Sequence, residues 1–189
     1  MLAAGRWLGG LPRLFDAGPG MEGPDMTLRN ATPADIGFIR SLTTRPDYAP
    51  FIGDSDEATL QGWIDSPEAR VLIWDEGKGP AGFAIFREIG DPSGRVELFR
   101  IALAQAGGGR GDAFFAALVD YGFATLGAAR IWLDASGENP RAMKIYERAG
   151  FRREGVQRAQ WWRTCLGRAV DLHLFGMMRD EWQAGPPPP

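Results

Sequence analysis

The chain has 189 residues, 44% of them hydrophobic and seven of them Trp, enough to bury one core of ordinary domain size. A net charge of −3 with no Lys/Arg run argues against nucleic acid as the main partner and agrees, weakly, with a cationic substrate. The single cysteine, Cys165, excludes an internal disulfide. With one histidine, His173, it leaves too few ligands for a zinc site of the usual kind, so no metal is expected. No apolar run reaches the ~18 residues that would span a membrane, and the cytoplasm is the expected compartment.

Residues 1–25 (MLAAGRWLGGLPRLFDAGPGMEGPD) are rich in Gly and Pro. Their apolar pieces are interrupted by Gly9, Gly10, Pro12 and Arg13, a poor signal-peptide core. They read as a disordered extension, with the folded domain over 26–183 beginning at Met26, itself a candidate start, and a Pro-rich tail over 184–189. Met26 to Ala31 reads as a first strand. Thr32-Pro33-Ala34-Asp35 then opens a helix, with Thr32 as N-cap and Pro33 at the first helical position. After the turn-rich Arg45 to Ser55, a second helix is expected from Asp56 to Asp65, with Leu60, Trp63 and Ile64 inward. Ala69 to Asp75 and Ala81 to Glu88 flank the turn Glu76 to Pro80 and read as an antiparallel hairpin.

The stretch Val96 to Phe123 (VELFRIALAQAGGGRGDAFFAALVDYGF) organises the rest. Strand formers run from Val96 to Leu103, glycines cluster at Gly107, Gly108, Gly109 and Gly111, and a helix follows from about Asp112. In that helix Phe115, Leu118, Val119 and Phe123 mark one buried face. A strand, a Gly-rich turn and a helix N-terminus make an anion site, because first-turn N–H groups lack partners and the dipole is positive there. A Walker loop is excluded, since Asp112 and Ala113 follow Gly111 where Lys and Ser/Thr are needed. A dinucleotide fingerprint wants a small residue at Asp112, although Asp134 lies near the position of its ribose-binding acid. Arg130 to Asp134 is the next strand, joined to the central one by a parallel βαβ crossover. In the helix that follows, Asn139 caps, Pro140 takes the first turn and Gly150 ends it. Arg152 to Trp162 and Arg168 to Met177 close the domain as a hairpin. The fold class is α+β, a mixed, mostly antiparallel sheet with helices on both faces.

Two motifs in this order resemble the GNAT superfamily of acetyl-CoA-dependent N-acetyltransferases over Met26 to Trp182. One is the pyrophosphate loop, AGGGRGDAF from Ala106 to Phe114. The other is Asn-x-x-Ala-x-x-x-Tyr-Glu-x-x-Gly-Phe, here Asn139, Ala142, Tyr146, Glu147, Gly150 and Phe151. The loop departs from the family pattern at Ala106, where Gln or Arg is common, with Gln105 one place early. Gly167-Arg168, Asp171 and the closing MMRDEW resemble the branch with polyamine and ribosomal-protein N-terminal acetyltransferases. The resemblance implies the acyl-CoA N-acyltransferase fold and acetyl-CoA as co-substrate. It implies a primary amine as acceptor: a polyamine, an amino-acid-like metabolite or a protein N-terminus. A homodimer is compatible with it.

For acetyl-CoA the resemblance implies main-chain contacts from Gly107, Gly108, Gly109, Gly111 and Asp112, with Arg110 adding charge. It also implies pairing of Ile101, Ala102 and Leu103 with the pantetheine arm, and contacts from Asn139, Ala142 and Tyr146. Neutralising a primary ammonium of pKa ~10.4 at pH 7 costs about 4–5 kcal/mol, so a base is sought. Glu97 stands in an otherwise apolar strand, where an unpaired carboxylate would be driven up in pKa, and the family often places a base there. An ion pair with Arg95 or Arg100 is the plain alternative. Tyr146 is the candidate acid for the departing thiolate, sharing a helix face with Asn139. The acceptor wall is read from Tyr48, Phe51, Asp54 and Glu57, acids and aromatics that suit a cation. One of Trp161 and Trp162 is expected to face the pocket, while His173 and Cys165 read as structural and incidental. The competing readings are a non-catalytic acyl-CoA sensor, keeping the loop without a working acid and base, and a nucleotide-linked oxidoreductase.

Overall fold

A computed structural model describes residues 26–105 and 107–185. The expected extension over 1–25, the Pro-rich end over 186–189 and Ala106 lie outside the described residues. The elements are β1 (Thr27–Asn30), α1 (Ile36–Thr43), α2 (Glu57–Asp65), β2 (Arg70–Asp75), β3 (Pro80–Arg87), β4 (Arg95–Leu103) and α3 (Arg110–Asp120). They continue with β5 (Arg130–Ser136), α4 (Pro140–Arg148), β6 (Arg152–Arg163), β7 (Arg168–Met178) and α5 (Arg179–Ala184). Local chemistry sets several boundaries. Asp35 accepts hydrogen bonds from the Thr32 N–H (2.8 Å) and hydroxyl (2.9 Å) and from Arg29 (2.7 Å). Asp56 accepts the Thr59 N–H (2.8 Å) to start α2, and Asn139 the Ala142 N–H (3.1 Å) to start α4. Helix α3 begins at Arg110, two residues before the sequence suggests, because Gly109 takes a left-handed φ of 74° as its N-cap.

The seven strands form one sheet in the order β1-β2-β3-β4-β5-β7-β6, antiparallel throughout except for β4 beside β5. The closing hairpin therefore returns its second strand to the interior and leaves β6 at the edge. Helices cover both faces. On one, Phe114, Phe115, Leu118 and Phe123 pack with Phe86, Leu98, Leu133 and Phe175. On the other, Ile39, Leu42 and Leu60 from α1 and α2 pack on Val71, Ile73, Phe83 and Ile85. Burial of such side chains stabilises the fold by roughly 1.5–3 kcal/mol each. Trp182 of α5 stacks on Phe123, ring centroids 5.2 Å apart.

Two irregularities in β4 position the site. Its pairing with β3 shifts between Phe86↔Leu98 and Ile85↔Arg100, so an extra residue at Phe99 bulges the strand. As a result Glu97, Phe99 and Arg100 share the α1/α2 face, while Leu98 and Ile101 face α3. Its ladder to β5 ends at Glu97↔Trp132, although β4 runs on to Leu103 and β5 to Ser136. Beyond that point the two parallel strands separate, opening the sheet at its centre.

Candidate active site

A cavity of about 810 Å³ fills the gap between β4 and β5. Leu98, Ile101, Phe115, Ala142 and Tyr146 line it from the α3/α4 side, and Tyr48, Phe51, Arg100, Asp134 and Trp161 from the other. It therefore passes through the sheet. A second cleft of about 390 Å³ adjoins it, bounded by Gly107, Gly109, Gly111 and Asp112 and by Arg141, Lys144 and Arg148 of α4. Gly111, Arg141 and Ile145 line both.

The second cleft has the chemistry of a phosphate cradle. Gly107, Gly108 and Gly109 hold φ of 115°, 60° and 74°, which L side chains rarely adopt, and a Cβ built at any of them meets nothing within 4 Å. The backbone is thus open to a ligand at the N-terminus of α3. Arg141, Lys144 and Arg148 recur at three and four residues along α4 and add positive charge on the opposite wall. That spacing was a readable signal. Arg110, expected to contribute charge, turns instead to Glu76 (3.4 Å) and Gln105 (3.3 Å). Asp112 lines the cleft but its carboxylate is paired with Arg148.

Of the residues expected at the reacting centre, Tyr146 is on the cavity wall. Its ring packs between Phe115 (4.8 Å) and Phe175 (5.6 Å). Burial first, and then the charge of Asp134, raise the phenol's pKa well above its ordinary value, so it stays protonated. Among the described residues its hydroxyl has no hydrogen-bond partner. Ile101, Ala102, Leu103, Asn139 and Ala142 also line the cavity, although the Leu103 carbonyl already accepts the Tyr48 hydroxyl.

Glu97 is not brought to the cavity wall. It is buried, and one carboxylate oxygen, Oε2, meets Arg87 across the β3–β4 pair, at 2.7 Å from Nε and 2.6 Å from Nη2. Desolvation raises its pKa and Arg87 opposes that rise. The expectation of an unpaired carboxylate fails because Arg87, ten residues earlier, is its direct cross-strand neighbour. The pairing belongs to neither Arg95 nor Arg100. Among the carboxylates that line the cavity, Asp134 has no ion-pair partner among the described residues. On β5, Trp132, Asp134 and Ser136 alternate with the buried Ile131, Leu133 and Ala135, so Asp134 points to the open face. Its surface is open to the cavity, whose walls still desolvate it enough to raise its pKa, tempered by Arg87.

The expected acidic acceptor wall is also changed. Tyr48, Phe51 and Asp54 line the cavity, but Asp54 accepts from Thr43 (2.6 Å) and Arg40 (3.3 Å). Glu57 lies off the cavity, exposed and paired with Arg40 (3.3 Å). Of the two tryptophans Trp161 faces the cavity, whereas Trp162 is 63% exposed. His173 lies 3.3 Å from Arg153 on the β6–β7 pair, and Cys165 is exposed.

The family described as "Acetyltransferase (GNAT) domain" matches residues 25–152. The chain belongs to the GNAT acetyltransferase family. As a GNAT it is an acyltransferase. It is 28% identical over 140 residues to a spermidine N(1)-acetyltransferase of Vibrio cholerae, covering 69% of this chain and 80% of the relative. Its identity to an N-acetyltransferase p20 of Bacillus licheniformis is 27% over 128 residues, 67% of this chain and 69% of the relative. In fold it is similar to the crystal structure of the Vibrio cholerae spermidine N-acetyltransferase in complex with CoA and spermine. There the TM-score is 0.74 at 22% identity, covering 83% of this chain and 97% of that one. A dodecameric structure of the Vibrio cholerae enzyme matches with a TM-score of 0.69 at 21% identity, over 83% and 95% of the two chains.

Proposed function

We propose that this GNAT transfers the acetyl group of acetyl-CoA to a primary amine by direct attack in a ternary complex. The observation that carries the reading is the cavity through the β4–β5 gap, with Asp134 and Tyr146 on its wall and the basic glycine cleft at its side. In this reading Gly107 to Gly111, Arg141 and Lys144 hold the pyrophosphate, and Ile101 and Ala102 offer backbone pairing to the pantetheine arm. Bound there, acetyl-CoA supplies an activated thioester carbonyl. Asp134 takes the proton from the acceptor ammonium, its raised pKa bringing it nearer to that of the amine. The neutral nitrogen lone pair forms the new C–N bond as the C–S bond breaks. Tyr146 gives its phenolic proton to the departing sulfur, or a hydrogen bond where the sulfur leaves as thiolate. Glu97 and Arg87 form a neutral pair behind Asp134, and Arg87 restrains the rise in the Asp134 pKa. Alignment within the gap contributes much of the remaining acceleration.

The names of the relatives bring polyamines into the range of acceptors, beside amino-acid-like metabolites and protein N-termini. A dodecameric relative, with the edge strand β6 carrying the exposed Val156 and Trp162, supports assembly of several copies. The test is thiol release from acetyl-CoA against an amine panel, with product mass as a second readout. An acetylated amine formed well above background hydrolysis supports the reading. Tight acetyl-CoA binding without acetylation of any amine would favour a sensing role.

A further inference from the structure

The acceptor side of the cavity carries two positive charges that acetyl transfer itself does not use. Arg100 and Arg163 both line it. Arg100 donates to the Ser55 hydroxyl (3.0 Å) and lies over the Phe99 ring at 4.7 Å. Arg163 donates from Nη2 to the Ala49 and Ile52 carbonyls and stacks on Trp161 at 3.7 Å, while its Nε is buried without a partner. Gly53 lies beside Arg100 and Trp161. A Cβ there would come within 3.4 Å of both Arg100 Nη2 and Trp161, so the glycine brings the loop close to the guanidinium and the ring.

Neither guanidinium has an acidic partner among the described residues. The acids of this wall are already engaged, Asp47 with Arg45 at 2.6 Å and Asp54 with Thr43 and Arg40. Asp134 is needed at the other end, beside Tyr146. Desolvation, then the nearby Arg87, push the Arg100 pKa down to about 10, with Arg163 adding to the fall and Asp54 only partly opposing it. Like charges gathered in a partly dry wall are costly unless an anion completes them. A guanidinium is matched by a planar or tetrahedral oxyanion, to which it donates in pairs.

Resting on the acetyltransferase reading, we propose that the acceptor is a small amine bearing a compact oxyanion, carboxylate or phosphate, held by Arg100 and Arg163. A polyamine would bring ammonium groups against the same two cations, and the site would select against it.

The experiment compares matched amines on the full chain: alanine with alaninamide, phosphoethanolamine with ethanolamine, and spermidine. Calorimetry first establishes acetyl-CoA binding. The expected result is that one anionic amine exceeds its neutral partner by at least about tenfold in kcat/KM, with spermidine poorer than either. The first pair reads a carboxylate and the second a phosphate. Arg100→Gln should raise KM for the anionic amine by about tenfold and leave KM for acetyl-CoA and for the neutral partner within about threefold. Arg100→Lys should recover part of the loss, and thermal melting verifies that each variant is folded. Preference for spermidine or for the neutral amines overturns the proposal, as does silence of every amine while acetyl-CoA binds. Failure of acetyl-CoA to bind would be a different result, sinking the acetyltransferase reading and this proposal with it.

Discussion

Tyr146→Phe removes one oxygen from the cavity wall and leaves the ring between Phe115 and Phe175, at 4.8 and 5.6 Å. The hydroxyl has no protein partner among the described residues, so its loss breaks no internal hydrogen bond and stability should change by no more than about 0.5 kcal/mol. Catalysis should respond very differently. If the phenol donates to the departing sulfur, kcat should fall about 10²-fold, equivalent to roughly 2.7 kcal/mol of transition-state stabilisation. KM for acetyl-CoA should stay within about threefold, since the glycine cleft and the Ile101 backbone are untouched. Burial and Asp134 raise the phenol pKa, so the phenol remains protonated through neutral and mildly alkaline pH. The alkaline side of the wild-type profile should therefore not report its ionisation. The assay is steady-state thiol release with an acceptor identified from the amine panel, beside a thermal melt. A variant that melts with the wild type and keeps its kcat would refute the assignment of Tyr146 as the acid.

Asp134→Asn should lower kcat/KM by about 10²–10⁴-fold and abolish the rise of activity with pH through the raised Asp134 pKa, which a pH–rate profile would detect. The same group bears on stability. Because its folded pKa lies above the unfolded value, the native state binds the extra proton and stability falls as pH rises through that window; the Asn variant should lose this fall and melt higher than wild type at pH 7. Asp35 has the opposite sign. Arg29, then Thr32, hold its carboxyl down to about 2 against burial, so its contribution is present above the unfolded pKa near ~3.9 and disappears as pH falls toward 2. Asp35→Ala should cost about 1–3 kcal/mol in urea melts at pH 7 and much less at pH 2. Gly109→Ala places a side chain at φ 74° and should destabilise the chain by roughly 1–2 kcal/mol while weakening acetyl-CoA binding, measured by calorimetry; unchanged affinity would count against the cradle.

Local signals determined much of this architecture. The run Val96 to Leu103, the glycines from Gly107 and the apolar face of Phe115, Leu118, Val119 and Phe123 report nearest-neighbour physics: strand preference, freedom at positive φ and helical spacing. The Asn139 cap and Pro140 in the first turn behind it are similarly local, and the element order with its two motifs was enough to indicate the family. What needed the tertiary structure was everything decided by pairing across distance. That Glu97 meets Arg87 depends on the β3–β4 register, and that Arg100 joins Phe99 on one face depends on the bulge between Leu98 and Arg100. The exposure of Asp134 follows from the β4–β5 ladder stopping at Trp132. Composition near Asp54 and Glu57 suggested an acidic pocket, yet Arg40 takes both carboxylates, while Arg163 arrives from a strand more than a hundred residues away. Charge in a site is set by which partners the fold leaves free, and sequence spacing carries no record of partners brought together by long-range folding.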